Sequence, residues 1–231
     1  MRIAILMTNT DESAFAHRWP LDGEKWTRLM QMARPAWDYP VWRVKDGVFP
    51  DRLNAFDGAI ITGSPASVNS GADWVARLEE LVRAAYAEGK PLFGACFGHQ
   101  VIAMALGGVV GKNPDGWVFG QIESVPVDES APMSVYASHS EQVLRLPDGA
   151  RVIAEGPGCR VGGYRIGHTV LTTQYHPEME PDFQAALIEE LEGDLPDGVC
   201  EAARASMKSE VPDMAAWAEI IARIFEAAQA R

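Results

Sequence analysis

The chain has 231 residues, enough for one large domain with a substantial core, and its 47 % hydrophobic and 23 % charged residues are ordinary globular composition. A formal net charge of −12 argues against binding to nucleic acid or an anionic membrane surface, both of which want a basic face. The longest apolar runs fall well short of about 18 residues, so no membrane span is expected, and Met1–Asn9 lacks both the length and the small-residue cleavage site of a signal peptide.

The elements follow in chain order. Residues 3–7 read as a short buried strand, and Glu24–Ala33 reads as a helix with Trp26, Leu29, Met30 and Ala33 on one face. Tyr39–Val44, rich in aromatic and β-branched residues, predicts a second strand, and Asp46-Gly47 a turn. Asp57–Gly63 reads as a turn, a strand and a glycine exit. Trp74–Glu88 is an amphipathic helix stopped at Gly89, Pro91–Ala95 a strand, and Phe97–Leu106 a helix stopped by Gly107-Gly108.

From about residue 109 to 175 the pattern changes to short strands and turns: Ile122–Val127, Ser134–Ala137, Gln142–Leu146, Arg151–Ala154 and Val170–Gln174. Pro181–Glu192 and Met214–Ala230 read as helices, with a Gly- and Pro-broken stretch between them. Trp217, Ile220, Ile221, Ile224 and Phe225 give the last helix an apolar face for its own domain or a twin, the first being the commoner arrangement. Strands alternating with helices imply an α/β fold, a mainly parallel sheet flanked by helices, and the middle implies an antiparallel β addition. No repeat or linker divides the chain, so residues 1–231 are read as a single domain.

The informative segment is Gly94-Ala95-Cys96-Phe97-Gly98-His99-Gln100, where an apolar strand meets a helix through G-x-C-x-G. This is a nucleophile-elbow pattern with Cys in place of Ser. The glycines let strand and helix approach closely, and the turn sets the sulfur at a helix N-terminus, where negative charge is favoured. A Cys nucleophile needs a base, and the base an orienting group. In Gln174-Tyr175-His176-Pro177-Glu178 a strand delivers His176 to its end, Pro177 stops the ladder, and Glu178 can reach back to the imidazole. Both segments fall at carboxyl ends of strands, where open α/β sheets build sites.

The remaining candidates have plainer readings. Cys96, Cys159 and Cys200 form no C-x-x-C pair, which argues against a disulfide framework or zinc ribbon and for a reducing, cytoplasmic setting. Cys159 and Cys200 read as small buried hydrophobes. His99 makes C-x-x-H with Cys96, but no second pair of ligands has zinc spacing, so no metal is expected. His139 reads as a structural loop histidine. Leu106–Asn113 hints at a phosphate loop, but the spacing fails and Asn113 stands where Ser or Thr would hold magnesium, so it reads as a helix stop and turn.

Taken together, Gly94–Gln100 and Tyr175–Glu178 resemble the class I glutamine amidotransferases. Ile60–Val68 is similar to that family's oxyanion loop, notably that of GMP synthetases, and Ser138-His139-Ser140-Glu141 resembles its Ser-His-Gly-Asp segment. The four motifs occur in the family's order across about residues 60–178. The resemblance implies the family's flavodoxin-like fold and a Cys-His-Glu triad, with Cys96 as nucleophile, His176 as base and then acid, and Glu178 as orienter. It implies an oxyanion hole from the backbone N–H groups of Ser64 and Phe97, shaped by Gly63. It further implies that Gln100 and the backbone of Ser140 and Glu141 meet the amino-acid end of a glutamyl substrate, although Ser140 departs from the family's usual Gly. No cofactor is implied.

The resemblance leaves the leaving group open. A glutaminase hydrolysing a γ-glutamyl amide for a synthetase partner chain is one reading. Trp42–Asp51, Asp57–Pro65 and Ala72–Val75 also look like the free-standing γ-glutamyl peptidases, which act on glutathione-type conjugates. In both the substrate is a small molecule, and the segment 9–38 is expected to line the leaving group's pocket. The third reading is a catalytically silent regulatory module on this fold.

Overall fold

Short, continuously apolar runs can be hidden only if both faces of their sheet are covered. The computed structural model describes residues 1–128, 130–207 and 211–229, and it gathers such runs at the centre of the protein. In chain order the elements are β1 (Ile3–Met7), α1 (Asp22–Ala33), β2 (Val41–Arg43), β3 (Gly58–Ile61), α2 (Asp73–Ala87), β4 (Leu92–Ala95), α3 (Phe97–Ala105), β5 (Val109–Lys112) and β6 (Val118–Pro126). There follow β7 (Met133–His139), β8 (Glu141–Arg145), β9 (Ala150–Gly156), β10 (Cys159–Ile166), β11 (Val170–Thr173), α4 (Pro181–Glu190), α5 (Val199–Ser206) and α6 (Met214–Gln229).

The main sheet has the order β2-β1-β3-β4-β11-β10-β9-β6-β7. Its first five strands are parallel, with Ile5 opposite both Val41 and Ile60, Ile60 opposite Phe93, and Phe93 opposite Leu171. The other four extend it antiparallel, and β5 with β8 forms a separate ribbon. The α/β expectation, a mainly parallel sheet flanked by helices with an antiparallel addition, is therefore met.

Alternation along the strands feeds two cores. Leu6 and Ile61 face α2 and α3, meeting Val75, Leu78, Val82, Val101 and Ile102. Ile3, Ile5, Ile60 and Phe93 face α1 and α6, meeting Trp26, Leu29, Met30, Ile221 and Phe225. The last helix thus packs on its own sheet, and Arg34 ties α1 to it through Glu219 (2.7 Å) and Glu226 (2.5 Å). Of the predicted helix 214–230, Ala230 lies outside the described residues.

Four elements depart from the sequence reading. The second strand shrinks to Val41–Arg43, because Tyr39 turns its hydroxyl to the Arg34 carbonyl at 2.9 Å and Val44–Asp46 coil into a 3-10 turn. Val109–Lys112, read as a turn, is β5, paired with β8 through Val110 and Val143. β10 was not expected at all. Its Gly162 and Gly163 leave space that a Cβ would take from the Tyr175 hydroxyl (2.6 Å) and the Thr172 carbonyl (2.9 Å). α5 lies in the stretch read as broken, and starts directly after Gly198.

Candidate active site

β4 runs straight into the site. Cys96 has φ +49° and ψ −105°, the only positive φ of a non-glycine residue among those described. Strain of this kind costs on the order of 1–3 kcal/mol and persists where the surroundings impose it. Here the Cys96 N–H donates to the Thr173 carbonyl (2.9 Å), and its own carbonyl accepts from the Gln100 N–H (3.0 Å). The flanking glycines permit the turn: a Cβ on Gly98 would lie 2.2 Å from the Ile61 carbonyl oxygen, and one on Gly94 2.5 Å from that of Gly98.

β11, hydrogen-bonded beside β4, carries the second segment to the same place. His176 is fixed by its backbone N–H, which donates to the Tyr136 carbonyl of β7 at 2.9 Å. Its Nδ1 lies 2.9 Å from Glu178 Oε1, and both side chains are buried. With the carboxylate at Nδ1, that nitrogen carries the proton and donates it, which leaves Nε2 for the sulfur. Burial discourages protonation of His176, but the charge of Glu178 and then the charge and hydrogen bond of Cys96 outweigh it. The imidazole pKa therefore stands well above its ordinary value. The arrangement can hold a proton on the imidazole beside the sulfur and release it later.

Gly63 closes over the pair. A Cβ there would lie 2.7 Å from His176 Cε1 and 3.6 Å from Cys96 Cβ. Thr8 anchors this loop, its Oγ1 lying 2.9 Å from the carbonyl oxygens of both Thr62 and Gly63. The backbone N–H groups of Ser64 and Phe97 donate to no acceptor among the described residues, so both are free for an oxyanion.

The sequence candidates share one cavity of about 300 Å³, lined by Cys96, His176, Glu178, Gly63, Ser64, Gln100, Ser140 and Glu141. Phe97 does not line it by its side chain, which stacks on Trp74 instead. Gln100 Nε2 donates to the Glu141 carbonyl (2.9 Å) and to Gln174 Oε1 (3.2 Å), so this amide braces the β7–β8 turn. Glu141 accepts from Ser67 Oγ (2.7 Å) and pairs with Lys112 (3.3 Å).

His139 also lines the cavity. Burial, aided by the charge of His176 and opposed by its hydrogen bond to the Glu141 carbonyl, brings its pKa down to about 4. His99 sits apart in the core, 2.9 Å from Thr172 Oγ1, and burial lowers its pKa to about 3. The wall from segment 9–38 consists of Asn9, Asp11, Asp22 and Lys25. The apolar lining of Met179, Phe183, Leu187, Leu191 and Leu195, whose Phe183 ring lies against Lys25, was missed. Its spacing of four residues is a signal, but an ordinary buried helix face gives the same one.

The family model described as glutamine amidotransferase class-I matches residues 36–191. Gamma-glutamyl peptidase 3 of Arabidopsis thaliana is 28 % identical over 202 residues, which is 80 % of each chain. Gamma-glutamyl peptidase 4 of the same plant is 30 % identical over 204 residues, 80 % of this chain and 79 % of that one. In fold, the crystal structure of a glutamine amidotransferase from Methylobacillus flagellatus superposes with a TM-score of 0.74 at 20 % identity, covering 98 % of this chain and 94 % of the other. With the family's sequence pattern spanning most of the parallel sheet and both strand-end segments, this chain belongs to the class I glutamine amidotransferase family.

Proposed function

We propose that this chain hydrolyses a γ-glutamyl amide through a glutamyl thioester on Cys96. The Cys96 sulfur attacks the γ-carbonyl carbon, and the N–H groups of Ser64 and Phe97 hold the oxyanion. Each such donor is worth roughly 2.7–4 kcal/mol of barrier. His176 gives its proton to the leaving nitrogen as the C–N bond breaks. It then takes a proton from water as the water cleaves the thioester, releasing glutamate and free sulfur. Glu178 orients the imidazole and favours its charged form. Gln100, Ser140 and Glu141 face the amino-acid end of the glutamyl group. The observation that carries the reading is the buried 2.9 Å contact of His176 with Glu178, on the ring that Gly63 presses toward Cys96.

A glutaminase serving a synthetase partner and a free-standing γ-glutamyl peptidase share this chemistry. Ammonia occupies about the volume of one water, roughly 30 Å³. The cavity must also hold the glutamyl group, and its continuation to Asn9, Asp22 and Lys25, past the residues that face that group, favours a leaving group larger than ammonia, and hence the peptidase. The chain is proposed to work as one domain, in the cytoplasm. Its three cysteines are free, and no helix of the described residues is long and apolar enough to cross a membrane.

The test is release of glutamate from glutamine and from a γ-glutamyl peptide, with Cys96→Ala as control. Iodoacetamide labelling adds an internal comparison. Burial pushes the Cys159 thiol up to about 11 and raises that of Cys200, so both are slow references. Release that vanishes in Cys96→Ala supports the reading. No release, with Cys96 labelled no faster than the other two, replaces it with the silent module.

A further inference from the structure

The hydrolase reading accounts for the glutamyl side of the cavity and leaves its other wall unexplained. A leaving amine must lie on the imidazole side of Cys96, because His176 supplies its proton. Asp22 and Lys25 of α1 line the same cavity as His176, and Asp22 lies near enough to Glu178 to feel its charge. Lys25 Nζ, on a side chain only 10 % exposed, lies 3.3 Å from Asp22 Oδ1 and 3.5 Å from the centre of the Phe183 ring. A buried ammonium with a single carboxylate and an aromatic face leaves donor capacity unused, since it has three N–H groups. Among the described residues its one hydrogen bond is to Asp22.

Asp22 is a weak competitor for that charge. Burial raises its carboxyl pKa, Lys25 opposes, and the nearby charge of Glu178 raises it further. Hydrogen bonds from Asn9 and Lys25 favour the Asp22 carboxylate, and an incoming anion would add to the burial and the Glu178 charge that disfavour it, weakening its hold on the ammonium. The same residues also border a smaller recess of about 40 Å³ that contains Arg43 and Lys45. Arg43 and Lys45 each pair with both Glu12 and Asp46, and Lys112 on the main cavity is largely exposed, whereas Lys25 is buried with one carboxylate partner.

We propose that Lys25, held between Asp22 and the Phe183 ring, receives a carboxylate carried by the leaving group. The preferred substrates are then γ-glutamyl amino acids and short γ-glutamyl peptides, rather than glutamine or γ-glutamyl alkylamides. This proposal rests on the hydrolase reading above. It adds a residue that reads the leaving group rather than the glutamyl end.

The experiment compares γ-glutamylalanine and γ-glutamylalanylglycine, each against its C-terminal amide, in wild type, Lys25→Met and Asp22→Asn. The readout is the ratio of kcat/KM for acid over amide. It is internal to each variant and so insensitive to partial loss of folded protein. The expected result is a ratio of at least about tenfold in wild type, close to one in Lys25→Met, and undiminished in Asp22→Asn, where the ammonium is freed. A wild-type ratio near one, or a ratio that survives Lys25→Met, overturns the role of Lys25 while leaving the hydrolase reading intact. Should Lys25→Met not fold, a ratio that falls in Asp22→Asn overturns it equally. Release from glutamine alone, with none from the four compounds, overturns this proposal and leaves the hydrolase reading intact, whereas absence of release from glutamine as well removes both.

Discussion

Gly63 and His176 are packed so closely that the glycine has no room for a side chain: a Cβ would lie 2.7 Å from the imidazole Cε1 and 3.3 Å from Nδ1. The loop that carries Ser64, the proposed oxyanion donor, and the ring proposed to move the proton are therefore set by one contact. Gly63→Ala must displace the imidazole, the loop or both. A misplacement of this size in a reacting constellation costs about 10²-fold. The expected outcome is a fall in kcat/KM of about that factor, with loss of stability held to about 1–3 kcal/mol, the ordinary cost of overpacking. Steady-state kinetics with a melting curve check it, and near-normal turnover would show that the contact has slack.

Glu178→Gln keeps the shape and removes the charge. The folded-state pKa of His176 is raised, so its charge-dependent stabilisation is fully present below its ordinary value of about 6.5 and is lost as the pH climbs through the higher folded value. Without the carboxylate the imidazole midpoint, followed by NMR, moves down. Turnover falls by about 10²–10⁴-fold, the range set by loss of a general base or of its orienting carboxylate. An unmoved imidazole midpoint would mean that Glu178 orients the ring without favouring its charge.

The parts of the fold that could be read from sequence are those whose reason is local. Ile3–Met7 and Leu92–Ala95 are apolar without interruption, and α1 and α2 show clean helical periodicity, so their existence follows from one stretch of chain. The elbow at Cys96 and the strand-end His176 are legible for the same reason. β10 is not, because Gly162 and Gly163 weaken its strand signal while making room for Tyr175, just past β11, and for Thr172 within it. β5 depends on β8, whose Val143 pairs with Val110 from more than thirty residues away. The cavity walls were the least legible. Lys25 lies on a helix that reads as amphipathic, and Phe183 and Leu187 read as core. Only the packing of α1 and α4 brings them into one cavity with Cys96, His176 and Glu178.

Phe225 is fully buried, and its ring lies against Gly58, where a Cβ would come within 2.6 Å of it. Removing it detaches α6 from the sheet face it covers, at a cost of about 3–5 kcal/mol. For a chain of this length that is a drop in melting temperature of roughly 6–20 °C. α6 contributes no residue to the cavity lining, so Phe225→Ala is expected to keep near-normal kcat/KM at 20 °C. Calorimetry and low-temperature kinetics separate the two effects. Equal losses in both would mean that α6 supports the site as well as the core.

The last prediction concerns acid. His99 and His139 are buried and neutral, with pKa values brought by burial to about 3 and about 4. In the unfolded chain each titrates near 6.5. Below that pH the unfolded state binds protons that the folded state refuses, so stability falls as pH falls, by about 1.4 kcal/mol per pH unit for each histidine. The window closes near the folded values, where the native state also accepts the proton. Between pH 6.5 and 4 these two histidines thus make the protein acid-sensitive. His176 has the opposite sign and is stabilising in that range. His99→Gln removes one titrating group from the core and is expected to lower stability at neutral pH, because its bond to Thr172 Oγ1 is lost. It should also flatten the slope of urea-unfolding free energy by about 1.4 kcal/mol per pH unit between pH 6 and 4.5. A slope unchanged from wild type would mean that His99 takes up its proton in the folded protein. Water would then have to reach its unpartnered Nε2.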